Sequence, residues 1–190
     1  MNRLTSFAFA GAAALSLAFG ATALPSFAKE PTKMVGGAPM YPSKNIVENA
    51  IHSKDHTTLV AAVKAAGLVP TLESKGPFTV FAPTNEAFAK LPAGTVETLL
   101  KPENKAQLTK ILTCHVVSAN AMSAAIKKMV KDDNGEHKVK TDGGCVFTAK
   151  LKGDKIEIVD GKGDVATVTI ADVKQSNGVI HVVDTVLLPG

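Results

Sequence analysis

An enzyme would need a nucleophile beside a base, a carboxylate pair or a set of metal ligands, so the histidines are the first residues to weigh. His52 and His56 have the i, i+4 spacing that can set two imidazoles on one helix face for a metal. The intervening Ser53-Lys54-Asp55 reads as a break between two helices and no third ligand is evident, so surface or capping roles are expected for both. His115 and His181 stand instead in β-like runs, CHVV and VIHVVD. Between Ile180 and Val182, His181 must point to the opposite sheet face. A partly buried imidazole must find hydrogen-bond partners. With no nucleophile or carboxylate arranged around them in sequence, both are expected to be structural rather than catalytic.

Three other patterns could carry chemistry. Asp160 to Asp164, DGKGD, has the look of a calcium loop, but Lys162 occupies a position that needs an oxygen ligand and no downstream glutamate completes the pattern. A hairpin turn accounts for it better. Met34, Met40, Met122 and Met129 could offer thioethers to copper, yet their scatter favours ordinary packing. Lys127, Lys128 and Lys131 could attract an anionic polymer or lipid, but a solvated helix face accounts for them better. No catalytic residue, metal site or cofactor is therefore expected.

The elements that would position these residues divide the chain into a helical first half and a β-rich second half. SKNIVENAIHS predicts a short helix begun by Ser43, and TTLVAAVKAAG a second, with Leu59, Val60, Val63 and Ala66 on one face and Gly67 at its end. Phe78 to Ala82, bounded by Gly76-Pro77 and Pro83, predicts a strand. Thr84 is placed to cap a helix starting at Asn85. Thr95 opens another short helix, Pro102 suits a helix start, and Leu108, Ile111 and Leu112 form an apolar stripe leading into a strand at 114–117. A helix follows around Ser123 to Lys131. Strands are then predicted over 136–141, 145–152, 155–159 and 164–170, and a last one after the Asn177-Gly178 turn signal. Such segregation predicts an α+β domain.

The chain's 190 residues open with Arg3 and an uncharged apolar stretch that lasts until Lys29. This is the layout of a secretory signal peptide over 1–28, with Ser26 and Ala28 suiting a cleavage site and a cut after Ala23 as the alternative. A retained anchor is disfavoured by Pro25 and the small-residue content. Residues 29–42, KEPTKMVGGAPMYP, read as a flexible N-terminal arm, and residues 43–190 as one domain. Arg3 is the only arginine, and Trp is lacking. Without guanidinium forks or stacking platforms, nucleic acid and phosphate ligands are poor expectations. Cys114 and Cys145, in an exported chain, are expected to form a disulfide, the alternative being two buried thiols.

Two segments, GPFTVFAPTNEAFAKLP at 76–92 and SNGVIHVVDTVLLP at 176–189, closely resemble the signature segments of the fasciclin-like domain family. LTKILTCHVV at 108–117 resembles the family's intermediate helix-to-strand segment. The resemblance covers Ser43 to Gly190 and implies a wedge of two β-sheets packed by several α-helices. Phe78, Val80, Phe81, Pro83, Thr84, Asn85 and Phe88 match the first signature; Asn177, Gly178, Ile180, His181, Val182 and Asp184 match the second. His115 belongs to the intermediate segment, where Cys114 replaces the usual Tyr or Phe of the adhesion element. That segment would place Cys114 at a strand start near the Gly-Gly turn before Cys145.

The resemblance implies a non-enzymatic interaction or adhesion module, in the periplasm or secreted, that binds a protein or glycan partner of the envelope or matrix. The alternative is a periplasmic metal or small-ligand binding protein. A hydrolase ranks behind both.

Overall fold

The structure, a computed structural model, describes residues 32–190, so the expected signal peptide over 1–28 and the first residues of the expected arm lie outside the described residues. From Lys33 the arm expectation is corrected. Strands β1 (Lys33–Val35) and β2 (Ala38–Met40) form an antiparallel hairpin. Its turn is Gly36-Gly37, with φ of 56° and 75°, a region that favours glycine. Val35, Ala38 and Met40 are buried in the main core, and Lys54 donates its amide to the Gly36 carbonyl at 3.1 Å. Three-residue strands have no readable period, and what holds them is burial against residues farther along the chain.

The helical half follows. Helix α1 (Ile46–Ala50) is capped by Asn45 rather than Ser43: the Asn45 side chain accepts from the Glu48 amide at 2.9 Å while Glu48 accepts from the Asn45 amide at 2.8 Å. A 3-10 turn (Lys54–His56) leads into α2 (Thr57–Ala66), which Gly67 ends in the left-handed conformation. Next come α3 (Val69–Glu73), strand β3 (Phe78–Pro83), α4 (Asn85–Ala89) and α5 (Thr95–Leu99). Helix α6 (Lys105–Cys114) and strand β4 (Val116–Val117) precede α7 (Ser123–Asp132). Cys114 thus ends a helix instead of starting a strand, and His115 is that helix's C-cap. Among the described residues, no helix is long and apolar enough to cross a membrane.

Strands β5 (Glu136–Lys140), β6 (Val146–Lys152), β7 (Lys155–Val159), β8 (Val165–Gln175) and β9 (Gly178–Val183) complete the chain. The large sheet has the order β4-β3-β9-β8-β7-β6-β5. Only β3 and β9 run parallel. β8 pairs with β7 over its first residues and with β9 beyond them, with register shifts on either side of Ile170 and a positive φ at Asp172. These bulges bend the strand and fold one sheet into the two halves of a wedge. The α+β architecture of sheets packed by helices is as expected.

Two cores fill the wedge. One gathers Met40, Ile46, Leu59, Val63, Leu72 and Phe88 against Val80 and Ile180. The other packs Ile126 and Val130 of α7 on Phe147, Ile156 and Ile158, with Phe81 and Val183 at the seam. Cys114 and Cys145 are joined by a disulfide in the second core, their Cα atoms 5.4 Å apart. Replacing both by alanine should lower stability by about 3 to 4 kcal/mol, the loop-closure entropy regained by the denatured chain. Denaturant titration of the two forms measures it, and a loss below about 1 kcal/mol would contradict that account.

Candidate functional site

The signature residues converge on the parallel pair. All six residues of β3 are buried, as expected for parallel strands covered on both faces. Alternation sends Val80, Ala82, Ile180 and Val182 into the first core and Phe81 and Val183 into the second. Gly178 lies so close to the Phe78 carbonyl that a side chain there would collide with backbone. Asn177 binds the pair to the helices. Its Oδ1 accepts from the Ile46 amide at 3.1 Å, and its Nδ2 donates to the carbonyls of Leu72 and Ser74 at 2.7 and 2.8 Å.

The remaining polar signature residues serve in the same way. Thr84 caps α4 by accepting from the Ala87 amide at 3.2 Å. Asn85 accepts from the Thr58 amide at 3.0 Å and donates to the Lys54 carbonyl at 2.9 Å, so it caps α2 across the molecule. Asp184 accepts from the Thr167 amide at 2.8 Å, clamping β8 to the end of β9. Phe88 and Phe78 fill the first core.

His115 and His181 are buried with both ring nitrogens engaged. His115 donates from Nδ1 to the Ile111 carbonyl at 2.8 Å and accepts at Nε2 from the Leu187 amide at 2.9 Å. His181 is the opposite tautomer, donating from Nε2 to the Ala121 carbonyl at 2.8 Å and accepting at Nδ1 from the Asp172 amide at 3.2 Å. Phe81 stacks on its ring at 5.8 Å. Burial lowers the His115 pKa to about 4, against the opposing pull of the Ile111 carbonyl and Asp160. Burial also lowers that of His181, opposed by Ala121 and Asp172. Burial works against charge on Asp172 too, yet Ser123 holds its carboxyl below the ordinary value. Both rings are neutral scaffolding at physiological pH.

The calcium-like loop is a turn. Asp160 Oδ1 accepts from the amides of Lys162 and Asp164, each at 2.9 Å, and Oδ2 from the Leu188 amide at 2.8 Å. Lys128 pairs with Asp132 on the exposed face of α7. Met34 is exposed while Met40 is buried, which separates the arm's two thioethers. Among the described residues, no group of three or more His, Cys, Asp or Glu is placed to hold a metal ion.

What sequence reasoning missed lies beside His56. His52 is exposed, as expected for a surface role; His56 stands at the N-cap position of α2, the other expected role, but is buried, 3% accessible, and makes no side-chain cap hydrogen bond. Its Nδ1 lies 2.8 Å from Ser53 Oγ, while Nε2 has no hydrogen-bond partner. Burial lowers the His56 pKa, opposed by the Ala82 backbone and by Asp55. The ring borders a cavity of about 60 Å³ walled by Leu59, Val63, Leu72, Val80, Val173 and Ile180. A Ser–His pair suggests hydrolysis, but Nε2 has no carboxylate to orient the imidazole, as a triad requires. The only signal for this arrangement in sequence is an apolar helix following SKDH.

The family model for the fasciclin domain matches residues 54–189. A Synechocystis relative, Protein sll1483, is 49% identical over 160 residues, covering 84% of this chain and 82% of the relative. Immunogenic protein MPB70 of Mycobacterium bovis is 33% identical over 199 residues, covering 97% and 94% respectively. A solved FAS1 domain pair from the insect cell adhesion molecule Fasciclin I has a TM-score of 0.67 at 18% identity, over 76% of this chain and 51% of that one.

The buried histidines make stability depend on pH. Burial brings His115 down to about 4 in the fold, against an ordinary imidazole value of about 6.5 in the unfolded chain, so between these values the unfolded chain binds more protons. Stability should therefore fall as pH drops through this window. His115 alone contributes a loss of about 3 kcal/mol, at about 1.4 kcal/mol per unit. His56 and His181 act in the same direction. Denaturant titrations at about pH 7 and about pH 4.5 check this; equal midpoints would show that the rings are charged within the fold.

Proposed function

This chain belongs to the fasciclin domain family, and we propose that it acts after export as a non-catalytic module holding a protein or glycan partner of the envelope or matrix. Support comes from where its polar signature residues go. Asn177, Asn85, Thr84, Asp184, His115 and His181 are all engaged in joining elements, which leaves recognition to the surface. Fasciclin I, a cell adhesion molecule by description, shares the fold. The leader-like segment over 1–28 supports a periplasmic or secreted setting.

One surface suits contact. The inner face of β5, β6 and β7 is covered by α7, whose Ile126 and Val130 pack on Phe147, Ile156 and Ile158. The outer face is solvated. There Lys138 stands opposite Thr148, which stands opposite Val159 and then Val165, and Lys140 stands opposite Val146. Val146 and Val165 are 51% and 44% exposed. Glu136 and Glu157 pair with Lys150 and Lys152 at 2.6 and 3.6 Å, so Lys138, Lys140 and Lys155 give the face its positive character. Apolar contact area ringed by lysine favours an acidic partner surface.

Immobilised protein should retain a saturable partner from envelope extracts. Combining Lys138→Glu, Lys140→Glu and Val146→Asp should weaken that binding about tenfold or more with thermal unfolding little changed, as expected for central interface positions. Nuclease, glycosidase and protease treatment of the extract identifies the partner's class. Retention that ignores the triple variant would move recognition off this face, and no saturable partner at all would count against the module reading.

A further inference from the structure

The sheet ends at β5 in an open edge. Among the described residues β5 comes last in the sheet order and pairs only with β6, from Glu136 against Lys150 to Lys140 against Val146. The Thr141 amide, one step past the strand in the same register, donates to the Cys145 carbonyl at 3.0 Å. Backbone groups alternate in direction along an antiparallel strand. Those of Val139 and His137 therefore also face β6, while the N–H and C=O of Lys138 and Lys140 face away from it. Both lysines are exposed. Such a row of unpaired donors and acceptors is a template for a further strand.

We propose that this edge takes up an extended protein segment as an added strand, with acidic side chains against Lys138 and Lys140 and an apolar one between them. This mode of binding rests on the reading of the outer face as the partner surface, and adds how the partner sits on it. Charge selects the occupant. The carboxylates nearby are engaged, Glu136 with Lys150, Asp133 with His137 and Asp132 with Lys128. Among the described residues neither Lys138 nor Lys140 has a carboxylate partner, and the Lys138 ammonium donates to the neutral Thr148 hydroxyl at 2.8 Å. A second copy of this chain is disfavoured, because pairing two β5 strands antiparallel about Lys138 or Val139 sets lysine against lysine. An acidic strand meets the opposite sign at the same positions. Val139 turns to the other side of the sheet and packs against the second core, as does Met129 of α7. The residue between the partner's two acids therefore meets hydrocarbon, and the pattern recognised is acidic, apolar, acidic.

The test titrates isotope-labelled protein with the peptide Glu-Val-Glu-Val-Glu, blocked at both ends, and follows amide hydrogen exchange by NMR. Saturating peptide should slow exchange at Lys138 and Lys140 about tenfold or more and leave Val139, already bonded to β6, as it was. The Gln-Val-Gln-Val-Gln peptide should bind about tenfold more weakly, through loss of the cross-strand charge pairs. No saturable binding, unchanged exchange at Lys138 and Lys140, or equal affinity for the two peptides would each overturn the proposal. A second measurement uses the partner retained from envelope extracts. Lys138→Pro deletes an amide that faces away from β6, a position where an edge strand tolerates proline, and should weaken retention about tenfold more than Lys138→Ser, which keeps that amide. Equal effects of these two variants, with retention still lost in the triple variant, would overturn the added strand and leave the face reading standing.

Discussion

Everything in this molecule leans on the pairing of β3 with β9. The two strands run parallel, are buried on both faces, and supply each of the two cores with alternate residues. A parallel pair cannot be closed by a tight turn and must be brought together from distant parts of the chain. Asn177 meets that demand at the point of contact, where the Phe78 amide donates to its carbonyl at 3.0 Å while its side chain fixes the ends of α1 and α3. Gly178 makes the approach sterically possible.

The same constraint explains why residues that look chemical are not. His181 sits on β9 and His115 beside β4, both within the layer that the two cores enclose. Burial there favours the neutral imidazole, and a neutral imidazole offers one donor and one acceptor. Each ring places both against backbone groups that would otherwise be unpaired. Histidine is useful here as a rigid, two-ended polar link. His56, on the turn before α2, is held from the other direction, by the Ser53 hydroxyl at its Nδ1.

Legibility in the sequence followed the range of the forces involved. Phe78 to Ala82 read as a strand and Asn177-Gly178 as a turn because proline and glycine punctuate them locally, and Thr84 read as a cap for the same reason. The hairpin over 33–40 did not, since its burial is conferred by residues around Ser53. β8 was expected to stop at 170 because the bulges around Ile170 and Asp172 interrupt its alternation, though the strand continues to Gln175. The burial of His56 was invisible for a related reason: a 3-10 turn carries no hydrophobic period, so nothing local shows which side faces inward. The family resemblance supplied the architecture that local patterns could not.

The register of β3 on β9 also sets a timetable. Phe78 pairs with Gly178, a hundred positions later, and both cores include residues of β9 or just beyond it. Neither core can close while the C-terminal segment is still missing. Contacts this remote in sequence form late. The fold is therefore completed only when the last strand is available to pair.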